Sequence, residues 1–162
     1  MKQSFNIDEV FEMAEQIERN GAKFYRKAAE RSDFTSSKGL LLKLAEMEDE
    51  HERVFGKLRS RFSQNQWQAY AAAPDDEVTL FLRAIADGHI FNVKANPVEA
   101  MTGRENLEEV LRTAIKLEED SIIFYLGLKD AAPEDQGRDV IDKIIKEERG
   151  HIVILSRELA RI

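Results

Sequence analysis

The sequence predicts an all-α protein, a four-helix bundle of two repeated helical hairpins joined by a long crossover that contains a short helix. Three observations predict it: a composition of helix formers, apolar residues spaced three and four apart, and an internal repeat at an offset of one hundred residues. Of 162 residues, 43% are hydrophobic and 34% charged, with only 8 Gly and 3 Pro. Ala, Leu, Glu, Lys, Arg and Ile fill most of the chain, and each has good helix propensity. That length and apolar content suffice for one continuous core, so residues 1–162 are expected to form a single domain.

The repeat is the most informative feature. Asn6-Ile7-Asp8-Glu9-Val10 recurs as Asn106-Leu107-Glu108-Glu109-Val110, and Ile17-Glu18 with Phe24-Tyr25 recurs as Leu117-Glu118 with Phe124-Tyr125. The register continues without a gap through Lys43 and Lys143, Glu48 and Glu148, His51 and His151, and Arg61 and Arg161, giving 11 identities in about 57 aligned positions. Chance pairing at ordinary residue frequencies gives roughly four. The excess falls on Glu, His and Tyr, residues that carry chemistry.

Each copy reads as a hairpin. In the first, Val10, Met13, Ala14, Ile17, Ala22 and Tyr25 recur at helical spacing. Asn6 and Asn106 are N-cap candidates with Glu9 and Glu109 three residues on, a capping-box pattern, and Phe5 with Val10 would add a hydrophobic staple. The expected helices run from about 7 to 32, 37 to 63, 107 to 131 and 134 to 161, with Pro133 suited to the first turn of the last. The hairpins thus span 6–63 and 106–162. Between them, 64–105 forms a crossover with Trp67, an Ala-rich stretch, Pro74, an amphipathic piece near 77 to 91, and Pro97. Trp67 and its Ala-rich neighbours are expected to cover either a hydrophobic edge or a partner subunit. A connection this long is expected to let the third long helix begin at the same end of the bundle as the first, the single-crossover form. An up-down-up-down bundle with an inserted lid is the alternative.

Charge and composition exclude several functions. A net charge of -7 argues against nucleic acid and anionic membranes, which require clustered Lys and Arg. No apolar run approaches the roughly 18 residues of a membrane span, and MKQSFNIDEVFEMAEQ turns acidic too early for a signal peptide, so a cytoplasmic location is expected. With no cysteine, disulfides, thiolate metal sites and iron–sulfur clusters are excluded. Any metal must be held by nitrogen and oxygen.

Residues three apart on an α-helix differ by about 60° and 4.5 Å, so Glu48 with His51 and Glu148 with His151 each aim two donors at one spot. They align with the apolar stripes Leu41, Leu44, Phe55, Leu58 and Ile141, Ile144, Leu155, Leu159, which puts carboxylates on core faces where they need a partner. Glu18 and Glu118 add one carboxylate from each of the other two helices. One Glu from each of two helices plus Glu-x-x-His from each of the other two is the donor set of di-iron and di-manganese carboxylate bundles. Two divalent ions would balance four buried carboxylates. A lone Glu-x-x-His is ordinarily solvated surface, and what lifts these two is their joint occurrence in register. Glu46, Glu50, Glu52 and Glu147 fall off the register or lack a symmetric mate, and read as solvated or as supports to the ligands. Tyr25 and Tyr125, seven residues beyond Glu18 and Glu118, either pack as amphipathic core or donate hydrogen bonds to bridging carboxylates of the opposite half. His89 has no paired motif and reads as a surface or capping residue.

The segments IERNGAKFY, EDEH, LEEDSIIFY and EERGH resemble the rubrerythrin branch of the ferritin-like di-iron carboxylate superfamily, over both hairpins. The resemblance implies a ferritin-like bundle holding two iron ions per chain, with manganese or zinc as alternatives. By motif its ligands are Glu18, Glu48, His51, Glu118, Glu148 and His151. It also implies reduction of peroxide or dioxygen, often in homodimers. Two departures stand out. Rubrerythrins append a four-cysteine rubredoxin-like centre, absent here, so electrons are expected from an external donor protein. They also carry a further glutamate three residues after the third-helix ligand, where this chain has Ser121. The short, rubredoxin-lacking form is therefore the closer likeness. Three functions follow: a redox enzyme, a ferroxidase or iron-handling protein, and a non-enzymatic metal-binding interaction module.

Overall fold

In the computed structural model, residues 7–62, 76–132 and 137–162 are described. Phe5, Asn6, Trp67, the Ala-rich stretch, Pro74 and Pro133 lie outside them, so the readings placed on those residues stand as expectations. The long helices are α1 (Ile7–Ala29), α2 (Lys38–Arg61), α4 (Leu107–Ala131) and α5 (Arg138–Leu159), with a short α3 (Glu77–Ala86) in the crossover. No strand occurs among the described residues, and none of their helices is long and apolar enough to cross a membrane.

The helix limits follow local chemistry. The α4 start is capped as its sequence indicates: Asn106 Oδ1 accepts from the Glu109 amide at 2.9 Å, and Glu109 Oε2 accepts from the Asn106 amide at 2.8 Å. Such a cap contributes about 1 kcal/mol. The first helix stops at Ala29, short of 32, because a 3-10 turn at Ser32–Phe34 takes over. That turn brings Phe34 into the core at 2% exposure. The last long helix begins at Arg138 rather than about 134, after Gly137 at φ +131°. A Cβ there would also lie 2.9 Å from Leu58, so glycine serves both the backbone and the contact. The amphipathic piece read near 77 to 91 is helical only to Ala86, since Gly88 turns to φ +76°. His89 is exposed, in keeping with the surface reading, and its backbone amide donates to the Ala84 carbonyl at 2.9 Å.

The crossover runs differently from the expectation. Helix α4 does not begin where α1 begins; it begins beside the end of α1. Val10, Phe11 and Ala14 pack with Phe124 and Leu128, whereas Phe24, Tyr25 and Ala28 pack with Val110 and Leu111, so α1 and α4 are antiparallel. The physical reason is simple. Helix α2 already returns the chain to the end where α1 starts, and a tight turn would have started α4 there. The long connection instead crosses the length of the bundle. It touches Gly127 through Phe81, gives the Val93 and Ala95 carbonyls to Asn20 Nδ2 at 2.9 and 3.3 Å, and places Glu105 3.8 Å from Arg31. Helix α2 is therefore parallel to α4, which also removes the up-down-up-down alternative.

The core is split in two. One apolar cluster holds the start of α1, the end of α2, the end of α4 and the start of α5; the other holds the opposite halves of the same helices. Between Ala14 and Phe24, Ala45 and Phe55, Ala114 and Phe124, and Ile145 and Leu155, each helix carries a buried polar layer.

Candidate metal centre

That layer contains all six predicted donors. Glu18, Glu48, His51, Glu118, Glu148 and His151 are each at most 3% exposed. Their ligand atoms form two groups, Glu18, Glu48, His51, Glu148 and Glu48, Glu118, Glu148, His151, in each of which the atoms lie within 4.8 Å of one another. Glu48 and Glu148 belong to both. Glu18 and Glu118 belong to one each. The antiparallel placement of α1 and α4 produces this arrangement, since it brings positions 18 and 118 to the same level from opposite directions.

Both imidazoles turn Nδ1 inward. His51 Nδ1 lies 3.0 Å from Glu148 Oε1 and 3.5 Å from Glu18 Oε2. His151 Nδ1 lies 2.8 Å from Glu148 Oε2, 3.3 Å from Glu48 Oε1 and 3.4 Å from Glu118 Oε1, close but out of line for a hydrogen bond. The two rings stack with centroids 5.7 Å apart. On its far side His51 Nε2 donates to Glu147 Oε2 at 2.9 Å, so Glu147 supports a donor rather than serving as one. One hundred residues earlier stands Met47, and His151 Nε2 has no hydrogen-bond partner. The two halves therefore differ in how their imidazoles are backed.

The tyrosines reach across the bundle. Tyr25 OH donates to Glu118, and Tyr125 OH donates to Glu18. The opposite-half part of the expectation holds, but the acceptors are the carboxylates that belong to a single group, not the shared pair. Seven residues separate each tyrosine from its own helix's Glu, and the antiparallel pairing of α1 with α4 converts that spacing into a reciprocal contact. Burial, then the charge of the facing Glu, pushes both hydroxyls up, which keeps them as donors.

Electrostatics show a layer built for compensation. Burial first, then neighbouring carboxylate charge, raises Glu18 and Glu148 to about 7 and lifts Glu48 well above the carboxylate range. Burial opposes charge on the imidazoles, but the carboxylates around them outweigh it and push His51 and His151 up to about 12. Glu18 Oε2, Glu48 Oε1, Glu148 Oε2 and both ring nitrogens of His151 are buried without a hydrogen-bond partner. Orphaned buried polar atoms on this scale call for an ion. A cation between the groups would pair with each of these inward-facing oxygens, so the residues present fit a pair of divalent ions.

Two features were missed from sequence. Gly21 is needed for Glu48 to occupy its place, because a Cβ there would lie 2.6 Å from Glu48 Oε2. Asn20, 8% exposed, ties the crossover over the site. A signal for the first existed in the repeat: Gly21 and Ser121, both small, stand three residues after Glu18 and Glu118.

Comparison with known proteins agrees with this fold. A crystal structure of a ferritin-like diiron-carboxylate protein from Thermotoga maritima superposes with a TM-score of 0.76 at 24% identity, covering 99% of this chain and 98% of that one. The Rubrerythrin family model matches residues 9–80. No curated protein matches the sequence. The chain is thus ferritin-like in fold. In sequence, its first hairpin and the entry to the crossover are similar to the Rubrerythrin family.

Proposed function

We propose that the protein is a non-haem di-iron carboxylate oxidoreductase that reduces peroxide, or dioxygen, with electrons from an external donor protein. The observation that carries this reading is the pair of buried donor groups sharing Glu48 and Glu148. Glu18, Glu48, His51 and Glu148 would hold one iron ion, and Glu48, Glu118, Glu148 and His151 the other. Two ferrous ions held there would supply the two electrons that, with two protons, take hydrogen peroxide to two waters. Oxygen ligands favour the ferric product, and the mixed N/O set also accepts manganese or zinc. The protein's own contribution is orientation. Tyr25 and Tyr125 hold Glu118 and Glu18 by hydrogen bonds, Glu147 fixes the ring of His51, and the apolar clusters on either side exclude water. A homodimer and a cytoplasmic setting belong to the same reading, and sedimentation tests the dimer.

The test is anaerobic. Protein loaded with two equivalents of Fe(II) is mixed with one equivalent of hydrogen peroxide, and the absorption of the diferric product is followed. Formation at least tenfold faster than oxidation of free Fe(II) is expected. Equal rates would count against a redox role, and uptake of many more than two ions per chain would point to iron storage. Elemental analysis of protein purified without added metal distinguishes iron from zinc.

Gly21→Ala separates the site from the fold. An exchange of glycine for alanine inside a helix ordinarily adds about 1 kcal/mol of stability, whereas here the new methyl displaces the Glu48 carboxylate. The expected result is a metal-free melting temperature that holds or rises, with affinity for Fe(II) or Mn(II) at least tenfold weaker. Unchanged affinity in a metal titration would mean that Glu48 is not held where the ions bind.

A further inference from the structure

Beneath the crossover, between α1 and α4, lies a cavity of about 170 Å³. Its floor is Glu48, Glu118 and Tyr25, which belong to the centre, and its walls include Ile17, Leu117, Phe91, Val93 and Pro97. Two small residues make the space, Gly21 on α1 and Ser121 on α4, both lining it. An apolar cavity of about 150 Å³ is large enough for benzene, so this one admits an organic group of four to six carbons.

Most polar side chains of the walls are engaged elsewhere. Ser121 Oγ donates to the Leu117 carbonyl at 2.9 Å, and Asp120 pairs with Lys116 at 2.7 Å. Asn20 Nδ2 is committed to the Val93 and Ala95 carbonyls, while its Oδ1 accepts from Gln16 at 2.7 Å. Asn92 Oδ1 accepts from the Lys94 amide at 3.0 Å. At the floor the situation is reversed, for Glu48 Oε1 is buried and has no hydrogen-bond partner. Walls that are mainly apolar replace the water around a hydrated cation poorly, so this is a poor path for iron. A molecule with an apolar body and one polar reacting end matches both walls and floor.

We infer that the cavity under residues 91–97 is the binding site for the alkyl group of an organic hydroperoxide, whose peroxide end faces Glu48 and Glu118. The inference rests on the proposed di-iron reading and narrows its substrate class. The O–O bond of ROOH breaks with two electrons drawn from the reduced centre and two protons from solvent, leaving the alcohol ROH and water. Ser121 is then a specificity residue, since its small side chain leaves room for the alkyl group where a longer one would fill it.

The experiment uses the full chain loaded with redox-inert zinc, titrated with tert-butyl hydroperoxide and followed by the amide resonances of Phe91, Val93 and Ser121. Saturable shifts in the millimolar range are expected, and Ser121→Leu should weaken them at least tenfold. In the iron-loaded protein Ser121→Leu should lower kcat/KM for tert-butyl hydroperoxide relative to hydrogen peroxide by tenfold or more. Val93→Ala, which enlarges the cavity, should raise the preference for cumene hydroperoxide over the smaller compound. Two-ion uptake with no saturable shift, or with ratios unchanged in both variants, overturns the pocket and leaves the di-iron reading intact. Absence of two-ion uptake removes both.

Discussion

Glu148→Gln is expected to reduce Mn(II) uptake from two ions per chain to at most one, while raising the melting temperature of the metal-free protein by a few degrees. The two effects have opposite signs because the same charge plays opposite parts in the two states. Without metal, Glu148 is fully buried, and its carboxyl is pushed up to about 7 by burial and by the charges of Glu48 and Glu118. Each unit of such a shift corresponds to about 1.4 kcal/mol held against folding above the shifted value. Glutamine keeps the shape and a hydrogen-bonding group toward His51 while removing the charge. Loss of the imidazole's charge partner offsets part of the gain, so a few degrees is the net expectation, at about 3 °C per kcal/mol for a chain of this size. With metal, Glu148 is one of two carboxylates common to both donor groups, and its loss weakens both positions. Ligand at a hundred times its dissociation constant stabilises the native state by about 2.7 kcal/mol, and most of that increment should vanish in the variant. Calorimetry with and without Mn(II), beside a binding isotherm, reads both signs. A variant that still takes up two ions at the parent affinity would remove Glu148 from the centre.

The donors themselves were legible because they obey helical geometry twice over. Glu48 with His51, and Glu148 with His151, sit three apart on core stripes, and a buried stripe position occupied by a carboxylate is a contradiction that only a partner resolves. The reciprocal contacts of Tyr25 and Tyr125 were half legible. Spacing along one helix gives direction and height but not which helix lies opposite, so the partners Glu118 and Glu18 could be placed in the other half without being told apart from Glu48 and Glu148. The direction of α4 was misjudged for the same reason. Local periodicity is blind to whether a connection stays at one end or crosses the bundle, and the deciding contacts, Asn20 with Val93 and Arg31 with Glu105, join residues far apart in sequence. Gly21 escaped notice because a glycine inside a helix is ordinarily a weakness. Its role appears only once the carboxylate of Glu48 is seen against it. Support of a ligand was one of the two readings open to Glu147, and because its contact with His51 breaks the repeat, symmetry could not choose between them.

Acidity should act on the metal-free protein in the opposite sense to that of most ion-paired folds, with the melting temperature falling steadily from pH 5 to pH 9. The carboxyls of Glu18 and Glu148 lie at about 7 in the native state against 4.5 for the free group. Between those values the folded chain binds more protons than the unfolded one, so its stability declines as pH rises through that window. The imidazoles of His51 and His151 extend the trend. Their native values near 12 exceed the free value of 6.5, so the stability they contribute below 6.5 is lost progressively above it. Asp8, Asp142 and Glu105, held low by Arg59, by Lys129 and Lys146, and by backbone amides around Thr102, favour the fold above their free values and set the limit only on the acid side. The combined loss from pH 5 to 9 is on the order of 3 kcal/mol or more, roughly 10 °C. Metal should reverse the trend, because ions compete with protons for the same oxygens and imidazole nitrogens and bind more tightly as pH rises. Scans at pH 5, 7 and 9 in chelator and in excess Mn(II) should therefore cross, and Glu148→Gln should flatten the chelator series. A metal-free melting temperature that is level or climbs over that range would mean the buried layer does not hold its protons as its geometry requires.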